Sequence, residues 1–262
     1  MKVAIYQMDI IPGVPEENHK KVKHWLAQTM SLENKPDVVV LPEMWTTAYT
    51  LTTLDLVSED ERRQTSSFLS ELAKQYGVNI VGGSIATKES DGIYNRALIF
   101  NRSGERVHQY DKIHLVPMLS EHLYLAGGRE KVQTFELDGV KVGVIICYDL
   151  RFPELARSLA LAGAEVLFIV AEWPEARQAH WTALQQARAI ENQMYVVSAN
   201  RVSTYDGVEF CGRSLVINPW GETIAQGTQE NEETITADLQ LKNVQEVRHN
   251  VPVFKSRVPD LY

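Results

Sequence analysis

The sequence predicts an α/β protein in which helices and buried strands alternate around a mixed β-sheet. Continuous apolar runs, typical of strands buried on both faces, recur along the chain at 37–41, 142–146 and 164–170. Between them, apolar residues recur at the spacing of amphipathic helices, as in 16–30 and 177–193. With 262 residues and 44% hydrophobic content, the chain can form one domain with an extensive core, which we assign to residues 1–262.

Three strands, two helices and a hairpin are predicted in the first half of the chain. The strands are expected at 3–8, 37–41 and 78–86, and the helices at 16–30 and 58–76. The second helix is expected to begin with a capping box of Ser58 and Glu61. Residues 93–100 and 106–110, joined by a turn, predict a β-hairpin. The order of these elements favours a mixed sheet covered by helices on one face.

A loop at 116–128 follows the hairpin and has little periodicity. A loop of this length in a compact domain is usually functional or disordered. Its apolar residues, among them Leu119, Leu123 and Leu125, are too many for a disordered segment. We therefore expect the loop to pack beside a functional site.

The segment 140–163 has the layout of a nucleophile elbow. A buried strand ends at Cys147, a short turn follows, and a helix closed by Gly163 comes next. Free N–H groups at the start of a helix favour a nearby negative charge, so the thiol pKa of Cys147 is expected to be lowered and its thiolate to be a nucleophile. The alternative from this stretch alone is a small buried side chain at the end of a strand.

The last third of the chain is predicted to contain further strands at 195–200, 213–218 and 234–238. The tail from 244 to 262 contains Pro252 and Pro259 and few apolar residues. It is therefore expected to form an extended arm, packed either on a neighbouring subunit or on its own domain.

Composition excludes several classes of partner. A formal net charge of −8 argues against nucleic acid or an anionic membrane, because both require a basic surface. No apolar run approaches the length of a membrane span, and the N-terminus is interpreted as a strand and not as a signal peptide. The only cysteines, Cys147 and Cys211, form no disulfide framework, which indicates a reducing compartment and hence the cytoplasm.

Polar residues follow directly after the buried strands. Glu43 follows the strand at 37–41, Cys147 follows 142–146, and Glu172 with Trp173 follows 164–170. In a layered α/β fold these positions lie along one edge, where ligand crevices form. A lone buried carboxylate costs several kcal/mol, so Glu43 is either functional or paired with a cation.

Aromatic residues and a lysine occur near the same positions. Trp45 and Tyr49 follow Glu43 and could line a pocket, although aromatic residues after a strand are more often plain core. Lys112 lies where a strand enters the long loop, and Glu121 lies inside that loop. Considered alone, Lys112 is better explained as a solvated surface lysine.

These residue types are suited to attack on an amide or nitrile carbon by a cysteine. The reaction needs a base, donors for the developing oxyanion and an aligned water. Glu43, Lys112 and Cys147 are candidates for these roles. The histidines show no metal-ligand spacing, and no glycine-rich phosphate loop follows a strand, so we expect neither a metal nor a cofactor.

Five segments resemble the nitrilase, or carbon–nitrogen hydrolase, superfamily in order and spacing. They cover nearly the whole chain: LPEMW at 41–45, YDKIHL at 110–115, GVIICYDLRFPEL at 143–155, AEWP at 171–174 and ARAIENQMYVVSANRV at 187–202. The resemblance implies a four-layer αββα sandwich. It also implies a homodimer in which two sandwiches stack, with the helices that begin near Arg151 and Arg177 as candidates for the dimer face.

The resemblance also implies roles for individual residues. Glu43 matches the general base, Lys112 the lysine that stabilises the oxyanion, and Cys147 the nucleophile. The backbone N–H of Tyr148 would be the second oxyanion donor, and Glu121 looks like the second glutamate that orients the lysine and the substrate. Trp173 and Tyr49 are expected to contact the substrate. Arg151 and Glu154 are expected to form a structural ion pair.

Within the superfamily, YDKIHLVPMLSEH and AEWP look closest to the ω-amidases. These enzymes cleave ω-amides of short 2-oxo dicarboxylic acids, such as 2-oxoglutaramate, and release ammonia. Arg177 and Arg201 are candidates to bind the distal carboxylate. The alternatives are an N-carbamoyl amine hydrolase, a nitrilase, an aliphatic amidase, an enzyme that transfers the acyl group to an amine, and a non-catalytic binding module.

Overall fold

Two mixed β-sheets form the centre of the protein in a computed structural model that describes residues 1–60 and 64–261. The strands in chain order are β1 (Lys2–Gln7), β2 (Val38–Val40), β3 (Glu59–Asp60), β4 (Asn79–Glu89), β5 (Gly92–Phe100), β6 (Arg106–Asp111), β7 (Phe135–Leu137), β8 (Val140–Ile146), β9 (Val166–Ala171), β10 (Tyr195–Asn200), β11 (Thr204–Tyr205), β12 (Val208–Glu209), β13 (Leu215–Ile217), β14 (Thr223–Gln226) and β15 (Glu233–Asp238). The helices are α1 (Pro15–Thr29), α2 (Leu54–Val57), α3 (Thr65–Tyr76), α4 (Pro153–Leu161), α5 (Gln178–Asn192) and α6 (Lys242–Asn250).

The first sheet has the order β15-β1-β2-β4-β5-β6, and β3 pairs with β4. Strands β1, β2 and β4 are parallel, whereas β15 and the hairpin of β5 and β6 are antiparallel to their neighbours. The predicted hairpin is therefore confirmed, and it continues the sheet from β4.

The second sheet has the order β14-β13-β10-β9-β8-β7. Its three central strands, β8, β9 and β10, are parallel and buried over most of their length, and the continuous hydrophobic runs predicted β8 and β9. Antiparallel strands flank these three, with β13 and β14 beyond β10 and β7 beyond β8. The residue pattern suggested one mixed sheet; the structure has two, each covered by helices on one face.

The two sheets stack face to face, and the alternation of side chains along β1 shows how. Val3 and Ile5 enter the core that the first sheet shares with the second, whereas Ala4 and Tyr6 enter a separate cluster with α1 and α3. Side chains of α4 and α5 join the shared core from the opposite side. The layers are thus helix, sheet, sheet, helix, which is the αββα sandwich expected from the resemblance.

The helix predicted at 58–76 begins later, at Thr65. Ser58 follows the short helix α2 with an extended backbone, and the two residues after it pair with Thr87 and Lys88 of β4. This strand pairing replaces the expected capping box, whose second member, Glu61, lies outside the described residues. The helix ends at Gly77 in the left-handed conformation, with φ of +62°.

The prediction of an extended arm at 244–262 was wrong for its first part. Lys242–Asn250 forms α6, in which Val244 and Val247 are buried on one face. An apolar spacing of three residues in an otherwise polar stretch suffices for a surface helix. Residue 262 lies outside the described residues.

The polar residues that follow four of these strands define the position of the site. Glu43 comes after β2, Lys112 directly after β6, Cys147 directly after β8 and Glu172 directly after β9. Because the two sheets are stacked, these strand ends meet at one rim of the sandwich. Among the described residues, no helix combines the length and apolar character needed to cross a bilayer.

Candidate active site

Glu43, Lys112 and Cys147 converge at this rim, as the sequence predicted. Lys112 Nζ lies 3.1 Å from Glu43 Oε1, and Cys147 lies near enough to both that their charges shift its thiol pKa. The side chains of Glu43 and Lys112 are fully buried, and Cys147 lines a cavity of about 370 Å³ that opens beside them. A thiol, a carboxylate and an ammonium thus meet at the end of one small-molecule cavity.

Cys147 lies at a strained turn. Its φ is +45°, in the left-handed region that residues with a Cβ rarely adopt, and the segment Cys147–Arg151 forms a single tight turn before α4. This geometry carries the thiol out of the line of β8. The predicted nucleophile elbow is therefore present.

Asp149 fixes the elbow from inside. Its buried carboxylate accepts hydrogen bonds from the Tyr110 hydroxyl at 2.8 Å and from the backbone N–H of Ile146 at 3.2 Å. The backbone N–H of His114 donates to the other oxygen at 3.0 Å, and the ring Nδ1 of His114 lies 2.8 Å from the same oxygen. The elbow is thereby tied to the segment that carries Lys112.

The thiol pKa of Cys147 is raised, whereas its position before a helix predicted that it would be lowered. Burial raises this pKa well above its ordinary value, and the negative charge of Glu43 raises it further, while Lys112 opposes the shift. The raised pKa favours the neutral thiol over the thiolate. Attack by this thiol would therefore require removal of its proton.

The carboxylate of Glu43 is oriented by donors on both oxygens. Oε1 accepts hydrogen bonds from the Tyr49 hydroxyl at 2.5 Å and from Asn95 Nδ2 at 2.8 Å, in addition to Lys112. Oε2 accepts the backbone N–H of Glu172 at 2.8 Å. These contacts hold the carboxylate in place beside the thiol.

The backbone around Glu43 requires a close approach between β4 and the turn after β2. Gly83 has φ of +61°, and a Cβ at this position would lie 2.0 Å from the carbonyl oxygen of Pro42. Only glycine fits there.

Lys112 is held by two carboxylates. Its ammonium contacts Glu121 Oε1 at 2.9 Å and Oε2 at 3.2 Å, and it donates to the Tyr49 hydroxyl at 2.7 Å. Burial would lower the pKa of Lys112, but the negative charges of Glu43 and Glu121 outweigh burial and hold it above its usual value. The side chain is therefore a permanent cation at the buried end of the site.

Glu121 comes from the long loop that was expected to pack beside the site. Its Oε2 also accepts the backbone N–H of Val116 at 2.7 Å, so the loop closes on its own glutamate. The same loop contributes Val116, Met118, Leu119 and Tyr124 to the wall of the cavity. The prediction for residues 116–128 is confirmed.

The residues predicted to contact the substrate or the oxyanion lie at the cavity. Tyr49, Tyr148 and Trp173 all line it. Burial, followed by the charges of Glu121 and Glu43, raises the pKa of Tyr49 well above its usual value, so its hydroxyl remains a donor. For Trp45 the alternative of plain core is confirmed, because it packs edge-on against His19 in the core beneath α1.

The arginines differ from the expectations in two ways. Arg177 lines the cavity, but Arg201 is completely buried and its Nη1 binds Glu172 Oε2 at 2.8 Å. Arg151 also lines the cavity, where its guanidinium lies over the Trp173 ring at 4.7 Å. In the described part of the chain it forms no ion pair with Glu154, so that prediction was wrong.

Sequence reasoning did not find Asn95 or Asp149 as members of the site. Asn95 is a buried polar residue of β5 and lies next to the buried Arg96, and these two polar residues in a strand were the available signal. Asp149 lies two residues after the nucleophile and could have been identified as a buried carboxylate at the elbow. Among the described residues, no three His, Cys, Asp or Glu side chains are grouped so as to hold a metal ion.

Sequence comparison finds relatives over the full chain. The sequence profile of the carbon-nitrogen hydrolase family matches residues 2–249. The chain is 44% identical over 261 residues to a 2-oxoglutaramate amidase of Bacillus subtilis, covering 99% of this chain and 98% of the relative. It is 34% identical over 257 residues to the omega-amidase YafV of Escherichia coli K12, covering 97% and 96% of the two chains.

Structural comparison finds the same fold. The crystal structure of Nit3 of Saccharomyces cerevisiae, described as a member of branch 10 of the nitrilase superfamily, superposes with a TM-score of 0.90 at 30% identity. The match covers 98% of this chain and 96% of Nit3. With a family profile over nearly its whole length, full-length relatives and the site geometry above, the chain belongs to the carbon-nitrogen hydrolase family.

Proposed function

We propose that this protein is an ω-amidase, which hydrolyses the terminal amide of a short 2-oxo dicarboxylic acid such as 2-oxoglutaramate and releases ammonia. The single observation that carries the proposal is the buried ion pair of Glu43 with Lys112, which lies beside the Cys147 thiol at the end of a cavity. The substrate class is supported by the full-length similarity to a 2-oxoglutaramate amidase and an omega-amidase.

In the first half of the proposed reaction the thiol attacks the amide carbon. The Cys147 proton moves to Glu43 as the sulfur–carbon bond forms, and the carbonyl electron pair moves onto oxygen. Lys112 and the backbone N–H of Tyr148 stabilise this oxyanion. Glu43 then gives its proton to the amide nitrogen, the carbon–nitrogen bond breaks, and ammonia leaves a thioester behind.

In the second half Glu43 takes a proton from water as the water oxygen attacks the thioester carbon. The carbon–sulfur bond breaks, the sulfur recovers the proton from Glu43, and the carboxylic acid is released. Glu121 takes no proton in this scheme. Its contacts with Lys112 at 2.9 and 3.2 Å support a role in holding the ammonium in position.

The distal carboxylate of the substrate requires a cation inside the cavity. Arg151 and Arg177 both line it, and Arg151 Nε is a buried donor without a hydrogen-bond partner in the described residues. We therefore assign the distal carboxylate to these two arginines. Arg201 is unsuited to this role because it is buried against Glu172.

A panel of substrates tests the proposal. Ammonia release should be measured for 2-oxoglutaramate, an aliphatic amide of equal length without a carboxylate, an N-carbamoyl amine and a nitrile, with Cys147→Ala as the blank. The 2-oxo ω-amide should have the highest kcat/KM, by about 10²-fold over the uncharged amide, as expected for loss of charge-assisted hydrogen bonds. Preference for the N-carbamoyl amine or the nitrile would refute the assignment.

Hydrolysis is distinguished from acyl transfer by the fate of the thioester. With the amide substrate and no added amine, the free acid and ammonia should form in equal amounts. An absolute requirement for an added amine would identify an acyltransferase instead.

We also propose an oligomeric state and a cellular compartment for the protein. We expect a homodimer that covers apolar side chains near α4 and α5, because Leu161, Ile190 and Trp220 are each 45–54% exposed. Ile190 contacts the turn at Gly221, so it and Trp220 belong to one surface. Sedimentation velocity would test the dimer. The free thiols of Cys147 and Cys211 suit the cytoplasm, which cell fractionation would test.

A further inference from the structure

One side-chain oxygen at the site has no function in the mechanism above. Glu172 lines the cavity together with Cys147, and its side chain is fully buried. Arg201 occupies Oε2, but Oε1 has no hydrogen-bond partner among the described residues. Asn95 Oδ1 is also unpaired, but Asn95 does not line the cavity.

A buried carboxylate oxygen without a partner is costly, by about 1–3 kcal/mol or more for a charged group. Such a group usually has a ligand, a water or a catalytic function that compensates for the cost. An ionised carboxylate only accepts hydrogen bonds. The missing partner is therefore a donor, and it must enter through the cavity.

The backbone places Glu172 next to the proposed base. Its N–H donates to Glu43 Oε2 at 2.8 Å, so the Glu172 side chain begins beside the carboxylate that must protonate the leaving nitrogen. The scissile amide nitrogen must lie within hydrogen-bond reach of Glu43 to receive that proton. A primary amide nitrogen in this position carries two N–H donors.

We propose that Glu172 Oε1 accepts a hydrogen bond from the scissile amide nitrogen and so makes the site select primary amides over esters and nitriles. The inference rests on the proposed amide hydrolysis. An ester oxygen or a nitrile nitrogen presents a lone pair where the amide presents an N–H. Either atom would face Glu172 Oε1 as a second acceptor, and no hydrogen bond could form between the two. Arg201 holds the other oxygen and fixes the carboxylate in position.

The charge state of Glu172 gives the inference a pH dependence. Burial raises the pKa of Glu172 to about 7, and the negative charge of Glu43 adds to the shift. The positive charges of Arg201 and Lys112 oppose it. Tyr205 also lies within its electrostatic reach. Since the ionised form is the acceptor and forms as pH rises through about 7, preference for the amide should increase over that range.

The experiment compares an ω-amide with the methyl ester of the same acid. Both substrates give the same thioester, so the ratio of their kcat/KM values reports acylation alone. In Glu172→Gln the side-chain oxygen turns to Arg201 and an NH2 group faces the leaving atom. The amide kcat/KM should fall about 10-fold or more while that of the ester is unchanged or rises.

The matched control is Glu175→Gln, the same change on the same loop outside the cavity. Its amide-to-ester ratio should equal that of the wild type. Equal losses for amide and ester in Glu172→Gln would overturn the inference, because they would indicate only a structural role. Wild-type hydrolysis of the ester without any ω-amide turnover would instead refute the proposed function.

The wild-type protein supplies a test that does not depend on the folding of a variant. Its amide-to-ester ratio should rise as pH increases through about 7, and this rise should be absent from folded Glu172→Gln. A wild-type ratio that is constant across this range would also overturn the inference.

Discussion

The hydroxyl of Tyr110 donates a buried hydrogen bond of 2.8 Å to Asp149 Oδ2 and so joins the two sheets at the active-site rim. Tyr110 lies at the end of the first sheet, two residues before Lys112, and Asp149 lies in the elbow of the second, two residues after Cys147. Burial and the charge of Asp149 hold the pKa of Tyr110 above its usual value, so the donor persists at working pH. This contact links the elbow that carries Cys147 to the segment that carries Lys112.

Tyr110→Phe should therefore lower kcat about 10-fold with little change in KM, because the oxyanion donor shifts relative to the thiol. The fold should persist, since His114 and Ile146 still bind Asp149. Steady-state kinetics at saturating ω-amide gives the comparison. Tyr195→Phe removes a hydroxyl that contacts Gln240 away from the cavity, and it should be neutral. Equal losses in the two variants would contradict a positioning role.

Cys147→Ala should abolish ammonia release and leave the fold intact. Alanine and cysteine both carry a Cβ, so the strain of φ +45° is unchanged by the substitution. Circular dichroism and ammonia release measure the two effects. Cys211→Ala, which removes the other buried thiol, should retain turnover. Substantial amidase activity in Cys147→Ala would rule out the thioester.

The neutral state of the Cys147 thiol leads to a less obvious prediction for Glu43→Gln. Burial and the negative charge of Glu43 raise the thiol pKa, whereas Lys112 lowers it. Replacing the Glu43 carboxylate removes a negative charge that raises the thiol pKa and keeps the Lys112 charge that lowers it. The thiol pKa should therefore fall. The variant should contain more thiolate than the wild type at a given pH and still be inactive.

Ultraviolet absorbance of the thiolate across a pH titration measures this shift. The double variant Glu43→Gln with Cys147→Ala gives the background. A thiolate signal that appears at the same pH as in the wild type, or at a higher pH, would contradict the proposed contact between Glu43 and the thiol.

The sequence predicted that Glu43 and Cys147 reach the rim, because each follows an apolar strand. Lys112 follows the polar strand β6, so its place at the site was expected only from the resemblance. The resemblance was also needed to choose between a functional and a structural role for Glu43 and Cys147. The sign of the Cys147 pKa shift could not be predicted, because it depends on burial and on Glu43, which is distant in the sequence. Asn95 and Asp149 escaped prediction because their partners also come from distant segments.

Local signals failed where a tertiary contact was stronger. Ser58 has the spacing of a helix cap, but strand pairing with β4 keeps the chain extended there. Arg151 was expected to pair with the nearby Glu154, yet stacking on Trp173 places it at the cavity. Both errors arose from considering sequence neighbours without the tertiary contacts of β4 and Trp173.

The cavity arginines should control affinity for the distal carboxylate. Arg151→Met and Arg177→Met should each raise KM for the ω-amide acid about 10-fold or more, and leave the uncharged aliphatic amide unaffected. Initial rates over a range of both substrates measure the difference. Arg157→Met, which removes an arginine that contacts Phe254 outside the cavity, is the matched control. Equal changes for both substrates would contradict carboxylate binding.

Lys112→Met should lower kcat by about 10² or more, because the oxyanion loses its cation. The same change leaves Glu43 and Glu121 buried without their shared partner, so the free energy of unfolding should also fall, by about 3–5 kcal/mol.

Adding Glu121→Gln to Lys112→Met separates the two effects, because it removes one of the uncompensated carboxylates. The double variant should regain part of the lost stability but none of the lost kcat. Denaturant titrations and rates measured well below the melting temperature supply both quantities. Recovery of kcat together with stability would show that Lys112 acts only by holding the two glutamates together.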